Sequence, residues 1–381
     1  MAVRGWGGPI AMAVGGAAGA GAAQLGLGYG LGIIAWLPAS NGASEPAWKA
    51  GLAWATWIAA TSTIAGALLA DRSASTSTRV ATVDRGGASS VTLLLWRTAL
   101  ALAAAVGALV TVALVAVPAR AVVRTDTFSP QTIAAGYAVL GVVLGLLVAI
   151  AAIAARAIAA NLIAAGAWLW TLAIVDVIDG VAGGRGLPSA QLGVWHFTGG
   201  DGGYFRHIYL PGAALSLGAA LVIGCLAAVP AARRGDNRVG VAVSGAMGPL
   251  LVASAYFLAA PGLVEPVAEQ LSAYLVAPYA VMAGLAGSVL ASALPVTAHP
   301  GLGPTRVPEP DATATDEPAG AHPAGAVRDD GARSAAGWEG MLAPEPAIAR
   351  GSAVVPSPRS AQPSGAGAGR WGRLVRRVSG G

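Results

Sequence analysis

Long apolar stretches separated by short polar interruptions run through the first 295 residues, near positions 10–37, 47–70, 91–117, 132–155, 158–180, 211–230, 239–260 and 271–294. Each is near or above the roughly 20 residues that a helix needs to cross a hydrocarbon core about 30 Å thick. The pattern predicts an all-α fold, a polytopic membrane bundle of about eight transmembrane helices occupying 1–295. The fourth and fifth stretches form one apolar run of about 45 residues, twice the length of one crossing. Only Arg156 and Asn161 interrupt it, so two helices joined by a tight turn are expected there.

Beyond Val296 the apolar runs stop, and Pro, Ala, Gly, Ser and scattered charges take over. Such a chain buries too little apolar surface to offset the entropy of ordering it, so 296–381 is expected to be a disordered tail. Its last segment, GRWGRLVRRVSGG, gathers Arg370, Arg373, Arg376 and Arg377 around Trp371, Leu374, Val375 and Val378. That combination suits an anionic cytoplasmic leaflet, with a solvated basic end as the alternative.

Composition strengthens the membrane reading. Of 381 residues, 55% are hydrophobic and 11% charged, against roughly 25% charged in soluble proteins. Lys49 is the one lysine beside 22 arginines, and alanine and glycine abound, a codon signature of a GC-rich bacterial genome. Arg4, Arg72, Arg79, Arg85, Arg156, Arg233, Arg234 and Arg238 fall on one side of an eight-span bundle; Lys49, Arg120, Arg124, Arg185 and Arg206 fall on the other. The positive-inside rule then makes the first side cytoplasmic, with both termini inside and the loop 181–210 outside the cell membrane. Trp36 and Trp48 flank the first outer loop, and Trp6 and Trp96 lie toward the inner surface, where indole rings settle at headgroup level. A cleaved signal peptide fits poorly, because the first apolar stretch is far longer than the usual 7 to 15 residues. The net charge of +5 is spread over helix ends and tail, which argues against nucleic acid as a partner.

Candidate chemistry is sparse. Gly15 and Gly19, Gly26 and Gly30, and Gly28 and Gly32 recur at four-residue spacing in the first stretch, which predicts close helix approach. Gln24, near the middle of that helix, needs a hydrogen-bond partner on a neighbour. Trp54 and Trp57 share one face of the second helix, and Thr56 and Thr63 share another. The central thirds of the spans hold no Lys, Arg, His, Asp or Glu, which counts against proton-coupled transport. Gly248-Pro249 and Pro278 are candidate breaks in the seventh and eighth spans.

Asp176 and Asp179 lie three residues apart at the outer end of the fifth helix, on one face. Directly after them, the loop 181–210 reads VWHF, TGGDGG and YFRHIYL, two short aromatic strands joined by a glycine-rich turn. This places Asp176, Asp179, His196 and His207 in a candidate outer-face cluster for a ligand or partner. With Asp201 added, the spacing matches no standard zinc pattern, so no metal is expected. The lone Cys225 allows neither an intrachain disulfide nor a cysteine cluster, and no nucleophile elbow accompanies the loop histidines. No cofactor is expected. These features favour a non-enzymatic membrane scaffold or assembly component, set in the lipid bilayer and meeting protein partners through its outer loop and tail. The alternative is a permease for an uncharged or weakly polar solute that uses the broken helices; a water-filled polar cavity reaching mid-membrane would favour it, and a solid core would favour the scaffold.

Overall fold

The computed structural model describes residues 6–36, 44–79, 90–123, 128–184, 191–193, 203–259 and 268–293. The predicted disordered tail, 296–381, lies outside the described residues, as do His196 and Asp201. Among the described residues the chain is almost wholly helical: α1 (Gly7–Gly30), α2 (Ser44–Arg79), α3 (Ser90–Ala119), α4 (Pro130–Ala154), α5 (Arg156–Ala182), the hairpin β1 (Tyr204–Phe205) and β2 (Ile208–Tyr209), α6 (Leu210–Arg233), α7 (Arg238–Ser244), α8 (Met247–Ala259) and α9 (Ala268–Ala293). Seven of these nine helices are long and apolar enough to cross a membrane, and α7 with α8 form a further apolar pair bent by 49°. Length and composition therefore fit a membrane bundle.

Helix ends follow local chemistry. α4 starts at Pro130, where the missing N–H costs nothing, and the Asn237 side chain caps α7 by accepting from the Val239 N–H at 3.0 Å. α1 closes where Gly32 takes the left-handed conformation, φ 68°, which lets the Ile34 N–H return to the Gly28 carbonyl at 3.1 Å. Between α4 and α5 the turn is a single extended residue, Ala155 at φ −133° and ψ 114°. No helix breaker stands there. The exposed Arg156 beside it marks where the run meets a polar environment.

The helices form two groups. α1 to α4 pack on one another, and α5 to α9 do likewise, with α6 against α9 as the most extensive pair of the second group; α2 against α8 and α4 against α5 join the groups. α2 is the central helix, buried along nearly its whole span. Trp6 meets Trp96 edge-on at 4.9 Å and Trp36 meets Trp48 at 5.1 Å, so each pair shares one end of the bundle. The starts of α5 and α7 and the ends of α6 and α9 meet in a small cluster of Ala157, Ala228, Ala231, Val241 and Ala291. Large apolar side chains such as Leu95, Leu102, Val106, Leu147 and Leu226 point outward and remain exposed, an outer surface suited to hydrocarbon.

Three sequence expectations need correction. Gly15, Gly19, Gly26 and Gly30 face open space, while Gly28 is buried, with Ile34 3.1 Å from where a methyl would stand; the other close approaches are made by Gly16 and Gly21 of α1 and by Gly66, Gly107, Gly141 and Gly145 on α2, α3 and α4. A methyl at Gly107, for example, would overlap the Val14 carbonyl. Pro278 does not break α9, which runs through it. The break in the seventh span falls at Gly245-Ala246, not at Gly248-Pro249. Pro249 sits in the first turn of α8, where a proline needs no N–H acceptor of its own.

Candidate functional site

The break between α7 and α8 exposes the polar ends of two helices inside the bundle, and such ends need partners. Two side chains from elsewhere supply them. Ser288 of α9 donates its hydroxyl to the Ala242 carbonyl at the end of α7. Asn161 of α5 accepts the Gly248 N–H at the start of α8, with Oδ1 at 2.9 Å. Small residues make this junction dense: a methyl added at Gly245 would overlap the Gly284 carbonyl, and one at Gly248 would come within 2.5 Å of the Ala165 side chain.

Asn161 also lines a cleft enclosed by α5, α6, α8 and α9, partly open to the surroundings, with about 70 Å³ of space for the centre of a water-sized molecule. Its wall along α6 runs from Gly212 to Ile223, about 16 Å at 1.5 Å per residue. Leu192, Gly193 and Tyr209 line the hairpin end, and Asn161, Gly248 and Ile223 line the end toward mid-bundle. The hairpin end is tied in place. Tyr256 donates its hydroxyl to the Leu192 carbonyl at 2.6 Å, and the Tyr209 N–H donates to Ser272 Oγ at 2.9 Å. Gly193, at φ 75°, turns the chain in a conformation that a bulkier residue rarely adopts.

The lining is mostly alanine, valine, leucine and aromatic, and it includes no Asp, Glu, Lys, Arg or His. Its wholly buried polar atom without any partner is the Asn161 amide nitrogen. That residue is wholly buried, and Nδ2 has no hydrogen-bond partner. Buried side-chain oxygens on Thr111, Gln191 and Gln270 also lack partners, but none of these residues lines the cleft.

Of the sequence-predicted cluster, Asp176 and Asp179 occupy the last turns of α5 and are both half-buried. His207 is exposed in the hairpin turn, and His196 lies outside the described residues. The hairpin is also more local than expected. β1 pairs with β2 within YFRHIYL, Phe205 opposite Ile208, so this segment is a hairpin of its own with Arg206-His207 at its turn, not a single strand; residues 194–202 lie outside the described residues. Arg206 has φ 55°, the positive angle that two-residue hairpin turns require at their first position. VWHF lies outside the described residues. Among the described residues no group of three or more His, Cys, Asp or Glu is placed to hold a metal ion.

Gln24 finds its partners across the bundle. Its Oε1 accepts from Thr61 Oγ1 at 3.1 Å and from Trp170 Nε1 at 3.3 Å, and its Nε2 donates to Ser62 Oγ at 3.3 Å. The Trp170 ring lies 5.3 Å from Trp54 and 6.2 Å from Trp57. This polar and aromatic tie joins α1 and α2 of the first group to α5 of the second. With its donors and acceptors engaged it is a structural contact. The cleft, with one buried donor unmet, is the stronger candidate for binding.

No family model, curated protein or solved structure matches the chain.

Proposed function

We propose that this chain is a multi-pass membrane protein that binds an uncharged or weakly polar solute in the α5–α9 cleft and serves as its permease. In this reading the bent α7–α8 pair counts as one crossing, giving eight. The arginine-rich end, with Arg72, Arg97, Arg156, Arg233, Arg234 and Arg238, faces the cytoplasm together with both termini, and the hairpin faces outward. The host membrane is the cell membrane. One observation carries the reading: the cleft extends from the hairpin end to the broken helix at mid-bundle, the placement used by carriers that build sites on discontinuous helices. A scaffold working only through its outer surfaces has no use for such a cleft, which is why the permease ranks above the scaffold.

A thermal-stability screen of the full-length protein in mild detergent, against a panel of small neutral solutes, tests this. A ligand at a hundred times its Kd adds about 2.7 kcal/mol of stability. The expected result is a rise in Tm with some panel members that is lost in Ala219→Phe, a variant that fills the cleft from a half-buried lining position. Flux of the same solutes into proteoliposomes should fall in parallel. No stabilisation by any solute, together with a protein partner that stays bound through purification, would return the assignment to a scaffold.

A further inference from the structure

Asn161 has two amide atoms and one fixed job. A backbone N–H can only donate, so the atom facing Gly248 at 2.9 Å must be Oδ1, and the NH₂ group is thereby directed elsewhere. Asn161 is wholly buried and lines the cleft, yet Nδ2 has no partner. A buried amide donor left unmet is costly, and the cost disappears when an acceptor arrives.

The surroundings narrow the acceptor. No charged side chain lines the cleft, so an ionic ligand would enter without a counter-charge. The first turn of α8 offers an anion little, because Pro249 has no N–H and the Gly248 N–H is already taken by Asn161. Tyr256 donates its hydroxyl to Leu192, and Ser272 accepts from the Tyr209 N–H, which leaves the Ser272 O–H as a second donor at the hairpin end. Ser216 and Trp168 also line the wall but are half-buried; Asn161 Nδ2 is the lining atom that is wholly buried with no partner at all, and it stands at the inner end of a mostly apolar wall about 16 Å long.

We infer that the cleft takes an uncharged, largely apolar molecule anchored by one carbonyl oxygen, of a ketone, amide or ester, which receives the free N–H of Asn161. This rests on the cleft-binding reading above and adds the ligand's chemical class and its recognition residue. A dissolved solute and the ester of a membrane lipid both present this chemistry.

Cyclohexanone and methylenecyclohexane, which differ in a single C=O against C=CH₂, are the probes, measured on the full-length protein in lipid nanodiscs with partitioning into empty discs subtracted. The expected result is that cyclohexanone binds about tenfold tighter or more, that its carbonyl stretch shifts to lower frequency on binding, and that Asn161→Leu brings the two affinities together. The affinity ratio and the infrared shift are read on the unmodified protein, so they stand even where Asn161→Leu folds poorly. Ala219→Phe should remove binding of both probes. Equal affinities with no carbonyl shift, both lost in Ala219→Phe, would overturn the role of Asn161 and leave cleft binding standing. No binding of either probe, or binding indifferent to Ala219→Phe, would overturn both. Nanodiscs of ester-linked and of ether-linked phosphatidylcholine separate the sources: weaker cyclohexanone binding in the ester discs identifies the lipid ester as the competing occupant, and equal binding identifies a dissolved solute.

Discussion

The backbone carbonyl of Gly284 on α9 stands where a side chain at Gly245 would be, in the turn between α7 and α8. Two helices meet there backbone to backbone, and the bend in the broken span is held by that contact as well as by the hydrogen bonds at its two ends.

Gly245→Ala should therefore destabilise the protein, by about 1–3 kcal/mol as overpacked sites do. Gly26→Ala on α1, where nothing lies within 4 Å, should be neutral or better, since alanine favours helix. Thermal unfolding in detergent distinguishes them. Equal melting temperatures for the two variants would remove the close-packing account of the bend.

Gln24 and Trp170 should be energetically coupled. Gln24→Leu leaves the Trp170 indole N–H without the acceptor it uses at 3.3 Å, whereas Thr61 keeps the Trp57 carbonyl at 2.9 Å. A double-mutant cycle with Trp170→Phe should return an interaction of about 1 kcal/mol. Strictly additive losses would show that the tie between the two helix groups contributes nothing.

Topology can be read by thiol labelling. In a Cys225→Ser background, a membrane-impermeant maleimide added to intact cells should label His207→Cys, exposed in the hairpin turn, and spare Arg234→Cys at the opposite end. Labelling of the second and protection of the first would invert the assigned orientation.

Asp176 and Asp179 lie near the C-terminal end of α5 and do not line the cleft. The double substitution Asp176→Asn and Asp179→Asn, which removes charge at nearly constant shape, should leave cyclohexanone affinity unchanged. A loss as large as that of Ala219→Phe would join the outer-face cluster to the cleft.

Helix positions were legible because apolar length alone encodes them, and Arg156 even marked the turn at Ala155. What sequence spacing could not encode was which glycine of α1 meets a neighbour. Glycines recur on several faces of that helix, and only the placement of its neighbours selects Gly16, Gly21 and Gly28 from among them. The break at Gly245 was misplaced for a related reason: Gly-Pro is a strong local signal, yet a proline in a first turn starts a helix as readily as it ends one. Asn161 looked like a polar interruption in an apolar run. Its role depends on Gly248, 87 residues further along, a relation with no local trace. YFRHIYL read as one strand because it holds no glycine or proline to mark a turn, yet Arg206 takes the positive φ itself.

The hydroxyls of α2 bear on how such a chain is built. Thr56, Thr61, Ser62 and Thr63 each donate to a carbonyl four residues earlier on their own helix, at 3.0, 2.9, 2.6 and 2.9 Å. The helix that ends up most enclosed thus carries acceptors for these groups within itself. When it leaves the ribosome after α1 and before α3 and α4 exist, no hydroxyl among the four waits for a later segment to relieve it. Biogenesis can then proceed one crossing at a time, and the contacts that enclose α2 are added afterwards without first undoing any bond it made alone.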